Sequence, residues 1–137
     1  MGQQNEKIVV LAHAAFSEGD LDALAELIAP DAVFDFSRSI GPLKGIYRGR
    51  DEIARFADAF AEAFETFKLS PVDFVVGPDG EIVVRQHVSA RGRASGLEID
   101  TVPDIALVWE FCDGKVTKTT MYQPHADALE AVGLRLE

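Results

Sequence analysis

Apolar residues recur every three or four positions at the start of the chain. Between Asn5 and Glu18, Ile8, Leu11, Ala12, Ala15 and Phe16 follow the spacing of one helical face, which predicts a first helix. Gly19 stops it, and Asp20 offers an N-cap oxygen to a second helix whose Leu21, Leu24, Leu27 and Ile28 form a stripe up to Pro30. Val33 to Phe36 reads as a short strand. The glycines and proline of SRSIGPLKGIYRG then mark an irregular segment, placed to line a pocket mouth. A third helix follows, with Asp51 and Glu52 in its positive first turn and Ile53, Phe56, Phe60, Phe64 and Phe67 along one side.

The second half changes period. Val72, Phe74 and Val76 alternate, GPDG turns the chain, and Glu81 to Arg91, Leu97 to Phe111 and Val116 to Gln123 read as three long antiparallel strands. At FCDGK a three-residue loop with Gly114 in the left-handed position sets Phe111 opposite Lys115. Continued, that register pairs Trp109 with Thr117, Leu107 with Thr119 and Ile105 with Met121, all on one face. Pro103 marks a bulge or an edge. PHADALEAVG predicts a last helix, opened by Pro124 and closed by Gly133. The expected class is α+β, a single domain over 1–137. Three N-terminal helices pack on a curved, antiparallel-rich sheet to form a cone, with a short C-terminal helix. A cone lined by phenylalanines leaves room for a cavity near its open end.

Composition narrows the partners. The 13 basic and 23 acidic residues give a net charge of −10, which repels phosphate backbones and anionic headgroups, so neither nucleic acid nor a membrane is an expected partner. The opening MGQQNEK lacks the basic-then-apolar pattern of a secretory signal, and a cytoplasmic location is the expectation. The one cysteine, Cys112, allows no internal disulfide and no cysteine-cluster metal site, and Asp113 beside it disfavours the thiolate. His13, His87 and His125 are too scattered for ligand spacing, so neither a metal nor another cofactor is expected.

Three stretches together, EGDLDALAELIAPDAVFDF, GPLKGIYRGRDEIARF and WEFCDGKVTKTTMYQPHADALEAVGL, resemble the SnoaL-like branch of the nuclear transport factor 2-like superfamily. That resemblance implies the cone fold, a homodimer, and a pocket for a small apolar or aromatic molecule. The fold hosts ketosteroid isomerases, polyketide cyclases, epoxide hydrolases, dehydratases and non-catalytic binders. Aligned on GDLD and the last hairpin, the isomerase tyrosine falls at Ala12, its base at Phe36 and its second acid at Leu107; the cyclase aspartate falls at Pro124, beside His125. Arg85-Gln86-His87 keeps half of the arginine, any residue, aspartate motif of limonene epoxide hydrolase, whose partner carboxylate maps to Met121.

Arg85 and His87 are thus the catalytic candidates, His87 as proton acceptor and donor, Arg85 as a two-donor clamp on an oxyanion. Asp100 is placed roughly opposite His87, where it would orient the ring. Their direction stays open. Alternation with Ile82, Val84, Val88 and Ala90 puts them outside, whereas the family register points them into the cone. The candidate ligand-contacting residues are Phe36, Tyr47, Phe56, Phe60, Trp109 and Met121. Asp35 alternates with the phenylalanines and reads as solvated, and His13 beside the first helix's stripe reads as hydrogen-bonded or wet. Three functions follow: acid-base chemistry of the isomerase, cyclase or hydratase and hydrolase type on an apolar oxygenated ligand, ligand binding without chemistry, or a dimeric interaction module.

Overall fold

Capping decides where the helices stop. The computed structural model describes residues 2–37, 45–92, 98–100 and 105–122. Helix α1, Gly2–Glu18, ends in a Schellman motif. Asp20 N–H donates to Ala15 O at 2.9 Å and Gly19 N–H to Phe16 O at 3.2 Å, with Gly19 at φ 72°, where a Cβ would be strained. Asp20 Oδ1 then accepts from Ala23 N–H at 3.1 Å and caps α2, Leu21–Leu27.

The elements continue as β1 Ile28–Asp35, β2 Ile46–Arg48, α3 Gly49–Ala63, β3 Phe64–Val76, β4 Ile82–Gly92, β5 Glu98–Asp100, β6 Ile105–Cys112 and β7 Lys115–Tyr122. The strands form one sheet in the order β2-β1-β7-β6-β4-β3, with β5 also paired to β4. All these pairings are antiparallel except β1 with β7, which is parallel. The α+β class and the helices over one sheet face are as the sequence predicts.

Several boundaries differ, each for a physical reason. The strand begins at Ile28, where the second helix was expected to continue. Its register to β7 shifts between Ile28 and Val33, so Pro30, with no N–H to donate, falls in the irregular stretch. Helix α3 stops at Ala63, and Phe64 and Phe67 belong to β3, whose ladder to β4 covers its whole length; tertiary pairing outweighs the helical spacing of those phenylalanines. The expected 97–111 strand is two, β5 beside Ser89–Arg91 and β6 beside Ile82–Gln86. Pro103 and the expected helix from Pro124, with His125, lie outside the described residues.

The β6–β7 hairpin also corrects the expected register. Asp113 at φ 53° and Gly114 at φ 75° make a two-residue turn with both centres left-handed, so Cys112 faces Lys115 and Phe111 faces Val116. A bulge then makes Thr117 the extra residue, its Oγ1 donating to Glu110 O at 3.2 Å. Beyond it Trp109 faces Thr119 and Leu107 faces Met121.

The sheet has two unlike faces. Toward the helices, Val9 and Ala12 of α1, Ile53 of α3, Phe34 of β1, Val84 of β4 and Trp109 of β6 share the main core. On the other face Val83, Ala106 and Val108 form a second cluster with Val75 and Tyr122. Helix α1 buries Ile8, Ala12 and Ala15 of the expected stripe and packs Phe16 on the core, but departs from it at Leu11. Val9 and His13 are buried as well, whereas Leu11 is 47 % exposed, because the helix packs along positions 8, 9, 12, 13, 15 and 16.

Candidate functional site

His13 stands at the centre of the helix-covered face. It is 3 % exposed, its Nδ1 lies 2.9 Å from Val9 O and its Nε2 lies 3.1 Å from Gln86 Oε1. A carbonyl only accepts, so Nδ1 carries the hydrogen of that contact. Burial is the largest influence on the ring and lowers its pKa from the ordinary 6.5, against the raising effects of the Val9 and Gln86 hydrogen bonds. The neutral ring then offers a lone pair at Nε2, which is matched when the Gln86 amide presents its NH2; the imidazolium matches Oε1. Rotation of one amide therefore accompanies a proton at this position.

Gln86 reaches His13 because it is the polar residue on the apolar side of β4. Ile82 and Val84 precede it on that side within the main core, and side chains two apart in a strand share a face. Gln86 is 5 % exposed, so an amide without a partner would be costly there.

Trp109 lies against His13, and further aromatic rings follow on from it. The His13 and Trp109 rings lie 5.6 Å apart between centroids, and Phe34 meets Trp109 edge-on at 6.3 Å. Phe36 stacks on Phe34 at 6.3 Å and reaches Phe56 at 5.0 Å; Phe56 also touches Tyr47 at 4.5 Å and Phe16 at 5.9 Å. A continuous face of ring contacts runs from half-buried Tyr47 and Phe36 through buried Phe56, Phe34 and Trp109 to the imidazole. Met121, half-buried, shares the side of Thr119 two residues along β7. Of the six ligand-contact candidates the structure joins Phe36, Tyr47, Phe56 and Trp109 into this surface and sets Met121 beside it; the side chain of Phe60 lies outside what is described.

Two polar atoms on this surface are buried with no hydrogen-bond partner, Trp109 Nε1 and Thr119 Oγ1. Trp109 is 5 % and Thr119 1 % exposed. They are cross-strand partners, and Thr119 is also the register partner of Phe34, so both face the same side as the ring surface.

The structure does not bring Arg85 and His87 to this place. They alternate with Val84 and Gln86 and therefore project from the opposite face of the sheet. There Arg85 pairs with Asp73, its register partner on β3, through an Nη1 to Oδ2 contact of 3.1 Å, and His87 is opposite Ser70. Asp100 pairs with Ser89, not with His87. The structure follows simple alternation and not the family register, which points them into the cone. Asp35 is also turned from the phenylalanines and accepts from Ser37 N–H at 3.0 Å and Ser37 Oγ at 2.6 Å. His13 was read from the sequence as marginal to its helix; the residues missed were Gln86 and Thr119. The signal for Gln86 was available, since it is the one polar interruption of Ile82, Val84, Val88 and Ala90.

Residues 9–119 match the family described as the SnoaL-like domain. No curated protein matches the chain. Among solved structures, Bal32a from a soil-derived mobile gene cassette is 25 % identical, with 88 % of this chain and 89 % of that chain covered at a TM-score of 0.73. TerC, co-crystallised with polyporic acid, is 20 % identical, covering 94 % and 97 % at a TM-score of 0.73. A protein with a ketosteroid isomerase-like fold from Catenulispora acidiphila, in complex with trimethylamine, is 19 % identical, covering 93 % and 92 % at a TM-score of 0.73. The last two likenesses are of fold. No helix among the described residues is long and apolar enough to cross a membrane.

Proposed function

Because the chain belongs to the SnoaL-like family, we propose that it binds a small apolar or aromatic molecule bearing an oxygen function on its helix-covered sheet face. His13 is the acid-base group of this reading. The observation that carries it is the buried His13–Gln86 pair beside Trp109, from which a run of ring contacts leads through Phe34 and Phe36 to Phe56. Rings supply contact area for a flat apolar ligand, and an imidazole of lowered pKa is neutral, and so able to accept a proton, at neutral pH. Nδ1–H stays held by Val9 O; the Gln86 amide leaves Nε2 when the ligand enters, Nε2 takes a proton from one ligand carbon or oxygen and returns it to another ligand atom, and the amide closes back on the neutral ring. This is the proton movement of an isomerisation or a cyclisation, and it involves neither Arg85 nor His87.

The chain has one tryptophan, and it lies on the proposed surface, so its emission reports occupancy directly. Titration with one- and two-ring aromatic ketones, phenols and quinones, polyporic acid among them, is expected to give a saturable change with at least one compound. Phe56→Arg, which puts a charge among the rings, is expected to abolish it. Unchanged emission with every compound would refute the reading.

A homodimer is the second reading, supported by Val72 and Val76 on the end strand β3, 47 % and 45 % exposed. Sedimentation equilibrium is expected to give the mass of two chains, and the mass of one chain would exclude it.

A further inference from the structure

Hydrogen-bonding groups removed from water normally have partners, and the exceptions call for a cause. Trp109 Nε1–H only donates, and Thr119 Oγ1 both donates and accepts. Both atoms are buried without a partner, they are side by side on neighbouring strands, and both face the aromatic surface. The imidazole of His13 is next to the same indole. We propose that Trp109 Nε1–H and Thr119 Oγ1–H together form the docking point for a carbonyl-type oxygen of the ligand, an oxygen with two lone pairs and no hydrogen of its own.

The chemistry favours that class over others. Two neighbouring donors sharing one acceptor suit a ketone, quinone or enolate oxygen, whose two lone pairs accept both. A carboxylate is disfavoured, because the chain is strongly acidic and Arg85 is engaged with Asp73 on the far face of the sheet. A ketone held here places its neighbouring carbon toward His13, which makes Trp109 and Thr119 the pair that would stabilise oxygen charge as that carbon loses a proton. The inference rests on the binding surface proposed above and names the group by which the ligand is oriented.

The same two residues provide the test. With a single tryptophan, a proton-nitrogen correlation spectrum contains one indole Nε1–H peak, and it belongs to the proposed donor. The probes are 1-indanone and indane, which share a two-ring skeleton and differ in the ketone. The expected result is that 1-indanone moves the indole peak and binds about five-fold or more tighter than indane, the worth of one neutral hydrogen bond. Thr119→Val keeps the side chain's shape and removes the hydroxyl, and is expected to weaken 1-indanone about five-fold while leaving indane unchanged. Trp109→Phe, followed by the shift in melting temperature with each probe, serves as the second variant and is expected to erase the same preference. Equal affinity for the two probes would overturn the oxygen site and leave the apolar surface standing. Failure of both probes to move the indole peak at millimolar concentration would overturn both.

Discussion

Replacing Gln86 by leucine removes the side-chain partner of a buried imidazole while keeping the volume of the strand position nearly constant. His13, a residue 3 % exposed, then has nothing to bond at Nε2, and the cost is the desolvation of one buried polar atom, about 1–3 kcal/mol. For a chain of 137 residues, an unfolding entropy of about 2.1 cal/mol/K per residue converts each 1 kcal/mol into roughly 3.5 °C of melting temperature. Gln86→Leu is therefore expected to lower Tm by about 3–10 °C at pH 7.5. His13→Leu strands the Gln86 amide in turn and is expected to cost a similar amount. In the double variant both polar groups are gone, so its loss is expected to be smaller than the two single losses together by about 1–2 kcal/mol. Urea unfolding followed by circular dichroism measures all four corners of this cycle. Losses that add to within about 0.5 kcal/mol would mean that the two side chains do not interact, and the site would lose its acid-base group.

The same pair sets a pH dependence. The folded state binds the His13 proton less readily than the unfolded state, so the stability it contributes is fully present above the unfolded value near 6.5 and is lost as pH falls from there toward the lowered folded pKa. Melts between pH 7.5 and 5 are expected to show this decline in the parent chain and a flatter one in His13→Leu. Phe34→Ala opens a cavity between Trp109 and Phe36 and is expected to cost about 3–5 kcal/mol in the same urea assay. Arg85→Ala breaks a half-exposed ion pair with Asp73, and the expected loss is about 0–1 kcal/mol with no change in ligand affinity.

Much of the architecture was legible because it follows from local signals. Gly19 and Asp20 punctuate the first two helices by backbone conformation and capping, and both act as their chemistry predicts. What local pattern does not determine is which of two compatible pairings the whole sheet selects. Phe60, Phe64 and Phe67 fit a helix by spacing, yet β3 begins at Phe64 because a full ladder with β4 is available. The hairpin register depended on whether Asp113, as well as Gly114, would take a left-handed conformation, and one residue's φ angle moved Trp109 from Thr117 to Thr119. The site was the harder part. Arg85 and His87 stand out as polar groups in a conspicuous motif, but the strand's own alternation puts them on the far face. The informative residue was the uncharged Gln86 between them, and its significance needs His13, 73 residues away in sequence, to be brought against it.

In the proposed function, ligand chemistry belongs to the helix-covered face of the sheet and not to the face bearing Arg85 and His87. A residue-by-residue map of chemical-shift changes at saturating 1-indanone tests this directly. The largest changes are expected at the Trp109 indole N–H, Thr119 and the His13 ring, with Arg85, His87 and Asp73 unmoved. Changes centred on Arg85 and His87, with the indole peak stationary, would contradict it.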